Sequence, residues 1–586
     1  MLEVCLRKQR AAPLPHGLVM GTHQMKTTYL FAAVSLIALS GCSTIQGWTS
    51  SKPEPEQTLA ETAGAPLFEG MGDFHREITA ASPDAQKYFD QGMVLAFGFN
   101  HAESIRSFRA AQKLDPACAM CYWGEALATG PNINVTSKGK AVMSPDDRAS
   151  AYRAIKKAIA LKDNATPAEQ ALIDALATRY SADFEAPREP QDIAYAEAMG
   201  AYVAAHPLDD DAAAMYAEAW MSTMPWNYWS VDGEPKPETV KVITALETIL
   251  ARSPNHPLAL HLYVHAVEAS ADPGRAEDEA DRLYTLVPGS GHLVHMPAHI
   301  FWRVGRYEDA AQANIQAAKV DEDYIAQCNA QGFYPALYYP HNIHFLWAAA
   351  SMSGQSALAL ETAQKLSDNV RIEQIKQFPT IEFFKTVPTL AHVQFGKWDE
   401  LLAMPAPSAE LDYSNAIWHY ARGVALARSG QPDLAAAEQA ELSKAKDSVQ
   451  IQFMDTHDYP ASHLLNIADK LLLGEMASAK GENDQAIALF GEAVDLQDAL
   501  PYTEPPFWYY PTRQSLGEAL MKAERYADAE AVYRRDLKQY PHNGWSMAGL
   551  AGALEKQGET EEAMQLRHHF EKVWANADVE ISSSRL

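Results

Sequence analysis

Residues 513–541 read RQSLGEALMKAERYADAEAVYRRDLKQYP, and this stretch decides the fold. Within it, Gly517 is followed by Ala529 after 12 residues and by Tyr533 after 16, and Pro541 closes the stretch. These intervals recur elsewhere in the chain, both of them from Gly474 to Ala486 and Phe490, and the longer one from Gly92 to Phe108. A fixed spacing that returns along a chain is the mark of an internal repeat.

Helical periodicity continues outside this stretch. Residues 431–446 (QPDLAAAEQAELSKAK) and 483–497 (NDQAIALFGEAVDLQ) place apolar residues three and four positions apart, as one face of an α-helix requires. Glycines suited to ending helices fall between such segments, at Gly354, Gly430, Gly481 and Gly558. Alternating runs rich in Val, Ile and Thr are nearly absent. The sequence therefore predicts an all-α chain with almost no sheet.

The repeat spacing resembles that of the tetratricopeptide repeat (TPR), a helix–turn–helix unit of about 34 residues. The resemblance is strong at residues 84–130 and 460–575 and looser between them. It implies an α-α superhelix, a TPR-like solenoid of roughly a dozen helix pairs, over residues 67–586. The first helices of the pairs would line a concave groove. Longer inserts are predicted at 130–143, 224–236, 321–340 and 497–511, and such loops often carry function.

The beginning of the chain is predicted to be a targeting signal. Residues 29–41 (YLFAAVSLIALSG) form an apolar run that follows Met25 and Lys26. The run is shorter than the roughly 20 residues of a membrane-spanning helix, and its charged, apolar, small-residue order is that of a secretory signal. Residues 39–42, LSGC, resemble the lipobox of bacterial lipoproteins. The resemblance implies cleavage before Cys42 and a lipid on that cysteine.

These observations divide residues 1–66 into an upstream extension at 1–24, a lipoprotein signal peptide at 25–41 and a flexible tether at 42–66. Ser43 rather than Asp follows the cysteine, which by resemblance favours the outer membrane. The expected location is the cell envelope, with the lipid in the outer membrane and the body in the oxidising periplasm.

The net charge of the chain limits the classes of partner that it can bind. Lys and Arg number 48 and Asp and Glu 75, which gives a formal net charge of −27. Nucleic-acid binding needs a basic face to neutralise phosphates, so this class is excluded. The expected partners are the membrane, through the N-terminal lipid, and a protein or peptide ligand in the groove.

A histidine-rich groove is predicted at residues 256–344. This segment holds eight of the 20 histidines, whereas a uniform spread would place about three there. Seven of the eight, together with one glutamate, form three groups spaced three and four apart, so that each group shares a helix face. The groups are His261, His265 and Glu268; His292, His295 and His299; and His341 and His344. Each begins the first helix of a predicted pair, so the TPR resemblance implies that all three face one groove.

Converging imidazoles can hold a divalent metal ion at about 2.0–2.1 Å, and seven with a carboxylate could hold two. Imidazole suits zinc, copper and iron alike, so the metal is not distinguished. Glu268 would be a ligand or, in a metalloenzyme, a general base acting on metal-bound water. Two other interpretations stay open: a polar groove for an anionic or peptide ligand, and simple packing. The functional alternative is a scaffold without metal that binds peptides or proteins in an envelope assembly.

Cys118 and Cys121 form a CxxC motif at a predicted helix start. Such a motif suits redox exchange, metal binding or a local disulfide. Aromatic residues in two inserts, 226–229 and 507–510, could form groove walls or attach the loops to the solenoid. Near the second of these, Glu504 and Arg513 could pair.

Overall fold

The computed structural model describes residues 58–136, 141–230, 233–328 and 334–586. The predicted extension, the signal peptide, Cys42 and residues 42–57 of the predicted tether lie outside these ranges. The described chain is an all-α solenoid. Its α-helices are α1 Leu59–Ala63, α2 Pro83–Phe97, α3 His101–Leu114, α4 Ala119–Thr129, α5 Pro145–Ala160, α6 Pro167–Ala177, α7 Glu189–Ala205, α8 Asp210–Thr223, α9 Pro237–Arg252, α10 Pro257–Val267, α11 Glu277–Leu286, α12 Gly291–His295, α13 Pro297–Val304, α14 Tyr307–Cys328, α15 Tyr339–Met352, α16 Ser356–Asn369, α17 Ile372–Gln377, α18 Val387–Gln394, α19 Trp398–Ala403, α20 Asp412–Arg428, α21 Pro432–Ala445, α22 Val449–Asp455, α23 Ala461–Ala479, α24 Asn483–Asp498, α25 Arg513–Lys522, α26 Tyr526–Gln539, α27 Gly544–Gln557 and α28 Thr560–Val573.

Other regular structure is sparse. Two strands of two residues each, β1 Val135–Thr136 and β2 Ala141–Val142, pair in parallel. Short 3₁₀-helices span Lys162–Asn164, Pro273–Ala276 and Pro379–Thr386, and a π-helix spans Tyr334–Tyr338. Among the described helices, none combines the length and the apolar character that crossing a membrane would require.

Helix ends follow local sequence rules. Thr166 caps α6 through a capping box with Glu169, and Pro167 occupies the first turn, where a missing N–H costs nothing. At the other ends, Gly354, Gly430, Gly481 and Gly558 all have φ between 73° and 86°. This left-handed conformation closes a helix and is accessible to glycine without strain. The prediction that these four glycines end helices is confirmed.

The glycine-to-aromatic interval of 16 residues corresponds to a close contact between the two helices of a pair. A Cβ on Gly517 would lie 2.4 Å from the ring of Tyr533, and one on Gly474 would lie 2.5 Å from the ring of Phe490. Both separations are far inside van der Waals contact, so only glycine lets each aromatic ring approach the opposite helix. The repeat spacing therefore reflects helix–helix packing.

Residues 58–66 differ from the predicted tether. Thr58 and Glu61 form a capping box at the start of α1, Ala63 and Ala65 are buried, and the hydroxyl of Tyr88 donates to the carbonyl of Ala65 at 2.6 Å. The apolar alanines and this buried hydrogen bond attach the segment to α2. The folded body thus begins before residue 67.

The segment predicted to be an insert at 321–340 differs from that prediction, because α14 continues to Cys328 and the π-helix leads directly into α15.

Contacts between distant repeats bring separate parts of the solenoid together. Helix α2 contacts α10, Arg76 pairs with Asp209 and Asp211 at 2.8 Å, and the indole of Trp545 donates to the carbonyl of Ser351 at 3.0 Å. The inner helices around α10, α13 and α15 are therefore covered by other parts of the chain.

Candidate metal centre

Three inner helical segments carry the predicted histidine groups. Helix α10 holds His261 and His265 and is directly followed by Glu268; α12 and α13 hold the second group, and α15 holds the third. Pro297 is the first residue of α13, where it is tolerated, and Met296 before it has the helical φ and ψ of −51° and −39°. Each helix is followed by the second helix of its pair, α11, α14 and α16, as the sequence predicts.

The first set of converging residues is His261, His265 and His292, which we call the α10 trio. One ring nitrogen of each lies within 4.8 Å of the others. Nε2 of His261 is 3.2 Å from Nε2 of His292, and Nδ1 of His261 donates to the carbonyl oxygen of Phe97 at 2.7 Å. All three imidazoles are buried.

The second set is His295, His299 and His341, which we call the α13 trio. Nε2 of His295 lies 2.9 Å from Nε2 of His299 and 3.1 Å from Nε2 of His341. His295 and His299 are buried and His341 is half-buried. Three ring nitrogens, one each from α12, α13 and α15, thus lie close together.

Hydrogen bonds fix the orientation of several rings. Nδ1 of His295 contacts Oδ1 of Asn314 at 2.7 Å, and the amide nitrogen of Asn314 donates to the carbonyl of Ala310 at 2.8 Å. Because that carbonyl can only accept, Oδ1 of Asn314 is an acceptor and Nδ1 of His295 carries the proton. Nε2 of His295 then presents a lone pair toward the centre of the α13 trio.

Glu268 fixes two more rings in the same way. Its Oε1 accepts from Nδ1 of His265 at 2.9 Å, and its Oε2 accepts from Nδ1 of His299 at 2.5 Å. One carboxylate therefore orients an imidazole of each trio. Histidines that bind metal ions almost always donate the N–H of their other ring nitrogen to a carboxylate or a carbonyl in this manner.

The titration behaviour of the cluster follows from burial and from these carboxylates. Burial lowers the pKa of His261, His265, His292 and His295, which keeps these imidazoles neutral. Burial alone would also lower the pKa of His299, but the charges and hydrogen bonds of Glu268 and Glu504 outweigh it and raise the pKa to about 10. Neutral imidazole is the form that binds a metal ion.

A second carboxyl group lies beside the α13 trio. Oε2 of Glu504 is 3.3 Å from Nδ1 of His299, and the hydroxyl of Tyr502 donates to Oε1 of Glu504. Burial raises the pKa of Glu504 to about 7. The guanidinium of Arg303 lies 5.3 Å above the ring of Tyr502 and donates to the backbone carbonyl of Glu268.

His344 lies apart from both trios. Its ring stacks on Trp347 at 5.3 Å and meets Phe383 and Phe384 edge-on at 5.4 and 5.5 Å. Desolvation by this aromatic environment lowers its pKa to about 3. The predicted ligand His344 is thus the one histidine of the three groups that the structure does not bring into a trio within the described residues.

The sequence also predicted roles for a cysteine pair, a possible ion pair and two aromatic inserts. Cys118 and Cys121 form a disulfide at the start of α4. Arg513 pairs with Asp498 rather than with Glu504, because Glu504 lies at the histidines, where its Oε2 is 3.3 Å from Nδ1 of His299. Trp508 and Tyr510 are buried and attach their loop to the solenoid, whereas Trp226 is 42% exposed and meets the ring of His265 edge-on at 4.9 Å.

Sequence reasoning missed three groups that orient the cluster. Asn314 lies on α14, the carbonyl of Phe97 comes from the end of α2, and the role of Glu504 at His299 was not predicted. A carbonyl oxygen leaves no sequence signal. Asn314 offered a weak one, since an amide on the apolar face of a helix requires a partner when buried.

Comparison with known proteins finds one matching family model and several similar solved structures. The family model described as "Tetratricopeptide repeat" matches residues 520–566, so the chain contains a TPR repeat at α25–α28. Similar solved structures include the crystal structure of yeast Tom70, at 12% identity, covering 83% of this chain and 92% of that one with a TM-score of 0.26. The human IFIT1 dimer with m7Gppp-AAAA is 12% identical, covering 73% of this chain and 87% of that one with a TM-score of 0.31.

The Cut9–Hcn1 hetero-tetramer of APC/C is 13% identical and covers 85% of this chain and 89% of that one, with a TM-score of 0.26. A search of curated proteins finds no relative. The class defined by fold and site is therefore a TPR-type helical scaffold with a buried histidine cluster.

Proposed function

We propose that this chain is a TPR-type scaffold that binds a divalent transition-metal ion, zinc, copper or iron, through its histidine cluster. One observation carries the proposal. Nε2 of His295, whose proton is held on Nδ1 by Asn314, points at Nε2 of His299 and Nε2 of His341 from 2.9 and 3.1 Å. Nitrogens bound to one tetrahedral zinc ion at 2.0–2.1 Å would lie about 3.3 Å apart, close to these separations.

A proton between Nε2 of His295 and Nε2 of His299 is the alternative to a metal ion. His299 hydrogen-bonds Glu268 and has its pKa raised to about 10, so as an imidazolium it can donate to His295. The lone pairs of His295 and His299 would otherwise repel each other. A metal ion satisfies the three Nε2 atoms together, whereas one proton satisfies only one pair.

A bound ion would supply Lewis-acid chemistry or an activated water, and the protein would then be a metalloenzyme. Glu268 supports this role as an orienting partner of His265 and His299, because both of its oxygens accept from Nδ1 atoms. Tyr502, 44% exposed, and half-buried His341 border the cluster on its more open side. A substrate would approach there.

Elemental analysis of the purified full chain tests the proposal. We expect stoichiometric metal in the wild type and its loss in the double variant His295→Ala/His341→Ala. The matched control is His344→Ala, which removes an imidazole from the same helix as His341 but outside both trios, and should retain metal. A wild-type protein without stoichiometric metal, after dialysis against each candidate ion, would overturn the proposal.

The TPR repeat at residues 520–566 favours a second candidate, because such scaffolds commonly bind protein or peptide partners. In this case the protein would act in an envelope assembly without metal. In-cell crosslinking followed by purification tests this candidate. A defined partner recovered equally with wild type and with His295→Ala/His341→Ala would support binding independent of the cluster.

We also propose that the chain is lipid-anchored in the cell envelope, at the outer membrane facing the periplasm. The support is the LSGC stretch ending at Cys42 and, in the folded body, the Cys118–Cys121 disulfide, which suits an oxidising compartment. Mass spectrometry of the N-terminal peptide from detergent-extracted membranes should find a lipidated Cys42. A Cys42→Ser variant that still partitions with membranes would contradict the anchor.

A further inference from the structure

We propose that the histidine cluster is a paired centre that holds two metal ions, one in each trio, with a small anionic oxygen ligand between them. This inference rests on the proposed metal-binding function and goes beyond it in the number of ions and in what lies between them. Six imidazoles form two ligand sets that share no residue, and a third possible set, His265, Glu268 and His299, takes one histidine from each of them. Three protein ligands with one open position is the usual arrangement of a catalytic metal ion.

The two trios are adjacent. The rings of His265 and His299 are 5.6 Å apart between centroids, and those of His292 and His295 are 5.9 Å apart. Within each trio the closest rings are 4.8–4.9 Å apart, so the separation between trios is scarcely larger than the separation within one. Ions held in both trios would therefore be near neighbours.

The α10 trio has its own indication of a ligand. Nε2 of His265 is buried, and within the described ranges it has no hydrogen-bond partner. Its Nδ1 donates to Glu268, so Nε2 carries the lone pair, and a ring nitrogen of His265 lies within 4.8 Å of ring nitrogens of His261 and His292. Leaving a buried acceptor unsatisfied is costly, and a metal–nitrogen bond would offset that cost.

Glu268 connects the two ligand sets. Oε1 orients His265 of the α10 trio, and Oε2 orients His299 of the α13 trio. A carboxylate that accepts hydrogen bonds from the Nδ1–H groups of both histidines raises the basicity of both ligands at once. Two separate, unrelated sites would not need a common partner.

Charge balance indicates the bridging ligand. Imidazoles that bind metal ions do so in the neutral form, so the six histidines would bring no charge of their own. The buried carboxyl groups beside them are Glu268 and Glu504. Two divalent ions bring four positive charges, which two carboxylates cannot neutralise. Because uncompensated buried charge is costly, a small anion such as hydroxide is expected between the ions. Two-metal sites commonly hold their reacting oxygen there.

Copper(II) is the probe for the test. The metal-free full chain is titrated with Cu(II), excess is removed, and bound copper is counted by elemental analysis and by double integration of the electron paramagnetic resonance signal. We expect two coppers per chain and an integrated signal well below the total copper, because neighbouring Cu(II) ions couple magnetically. His261→Ala/His292→Ala and His295→Ala/His341→Ala should each bind one copper with a full signal, and His344→Ala should behave as wild type.

The outcomes separate this inference from the proposed function. No copper in the wild type overturns both, because a histidine site binds copper(II) more tightly than zinc or iron(II). One copper per wild-type chain, or two coppers whose signals integrate fully, overturns the paired centre alone. The wild-type measurement stands even if a double variant fails to fold, so the inference does not depend on those variants.

Discussion

His299 donates a hydrogen bond of 2.5 Å from Nδ1 to Oε2 of Glu268, a residue 31 positions earlier in the chain. Glu268 directly follows α10 and His299 belongs to α13, so this bond joins the first helices of neighbouring pairs. The other oxygen of the same carboxylate holds His265. The orientation of two imidazoles therefore depends on one side chain, and substitutions outside the six histidines should affect the centre.

Glu268→Gln should lower the affinity for zinc by about 10–100-fold. Glutamine offers one acceptor oxygen, so it can satisfy Nδ1 of only one of the two histidines, and its NH₂ group would face the second Nδ1–H. A competition titration against a chromophoric zinc chelator measures the change. Glu410→Gln is the control, because Glu410 is exposed and pairs with Lys376 at the surface. Equal affinities for both variants would contradict the role of Glu268.

Asn314→Ala should destabilise the metal-free protein by about 1–3 kcal/mol, because it leaves the buried Nδ1–H of His295 without its acceptor. The free energy of unfolding from urea titrations checks this value. Asn369→Ala removes an exposed amide that donates to the carbonyl of Lys365, and should change stability by less than about 0.5 kcal/mol. A similar loss in both variants would mean that the Asn314 amide has no special role.

Gly291→Ala should be strongly destabilising, because the added Cβ would lie 2.0 Å from Oδ1 of the buried Asp321. That carboxyl accepts from Tyr334 and Asn342, and the hydroxyl of Tyr334 accepts from the backbone N–H of His292. Displacing it should cost about 1–3 kcal/mol and disturb the α10 trio.

Gly491→Ala is the control for Gly291→Ala, and we expect it to change the stability in the opposite direction. Gly491 lies inside α24, and a Cβ there would meet nothing within 4 Å. Alanine is the better helix former by about 0.8–1.0 kcal/mol, so this variant should be more stable than the wild type. Urea unfolding of the two variants side by side tests both expectations, and a neutral Gly291→Ala would refute the first.

Glu518 should make stability depend on pH in the acid range. Burial would raise its pKa, but the charge and hydrogen bonds of Arg428 outweigh burial and lower the pKa to about 2, below the ordinary 4.5. The stabilisation is therefore complete above about pH 4.5 and is lost as the pH falls toward 2. At pH 6 we expect Glu518→Gln to be less stable than the wild type by on the order of 2–3 kcal/mol.

This difference should shrink toward zero near pH 2, as measured by denaturant titrations at a series of pH values. Glu492→Gln is the control, since Glu492 forms a half-exposed ion pair with Lys470 that solvent screens. The wild type and this control should share one pH profile. A Glu518→Gln deficit that stays constant down to pH 2 would contradict the assigned pKa.

The sequence by itself determined the helices and the grouping of the histidines on them. Helix periodicity, closing glycines such as Gly558 and the interval from Gly517 to Tyr533 are local signals, because they arise within one helix or between adjacent ones. Spacings of three and four likewise place His261 beside His265, and His295 beside His299, on single helix faces. These parts of the site needed no knowledge of distant contacts.

Only the tertiary structure decided which groups meet. His341 and His344 are three residues apart on α15, yet His341 contacts His295 while His344 stacks on Trp347. The acceptor for His261 comes from residue 97, a separation of 164 positions, and Glu504 approaches His299 from another repeat. The rotation of each helix about its axis and the curl of the superhelix set these contacts. Both depend on side-chain packing summed over many repeats, which local sequence patterns do not encode.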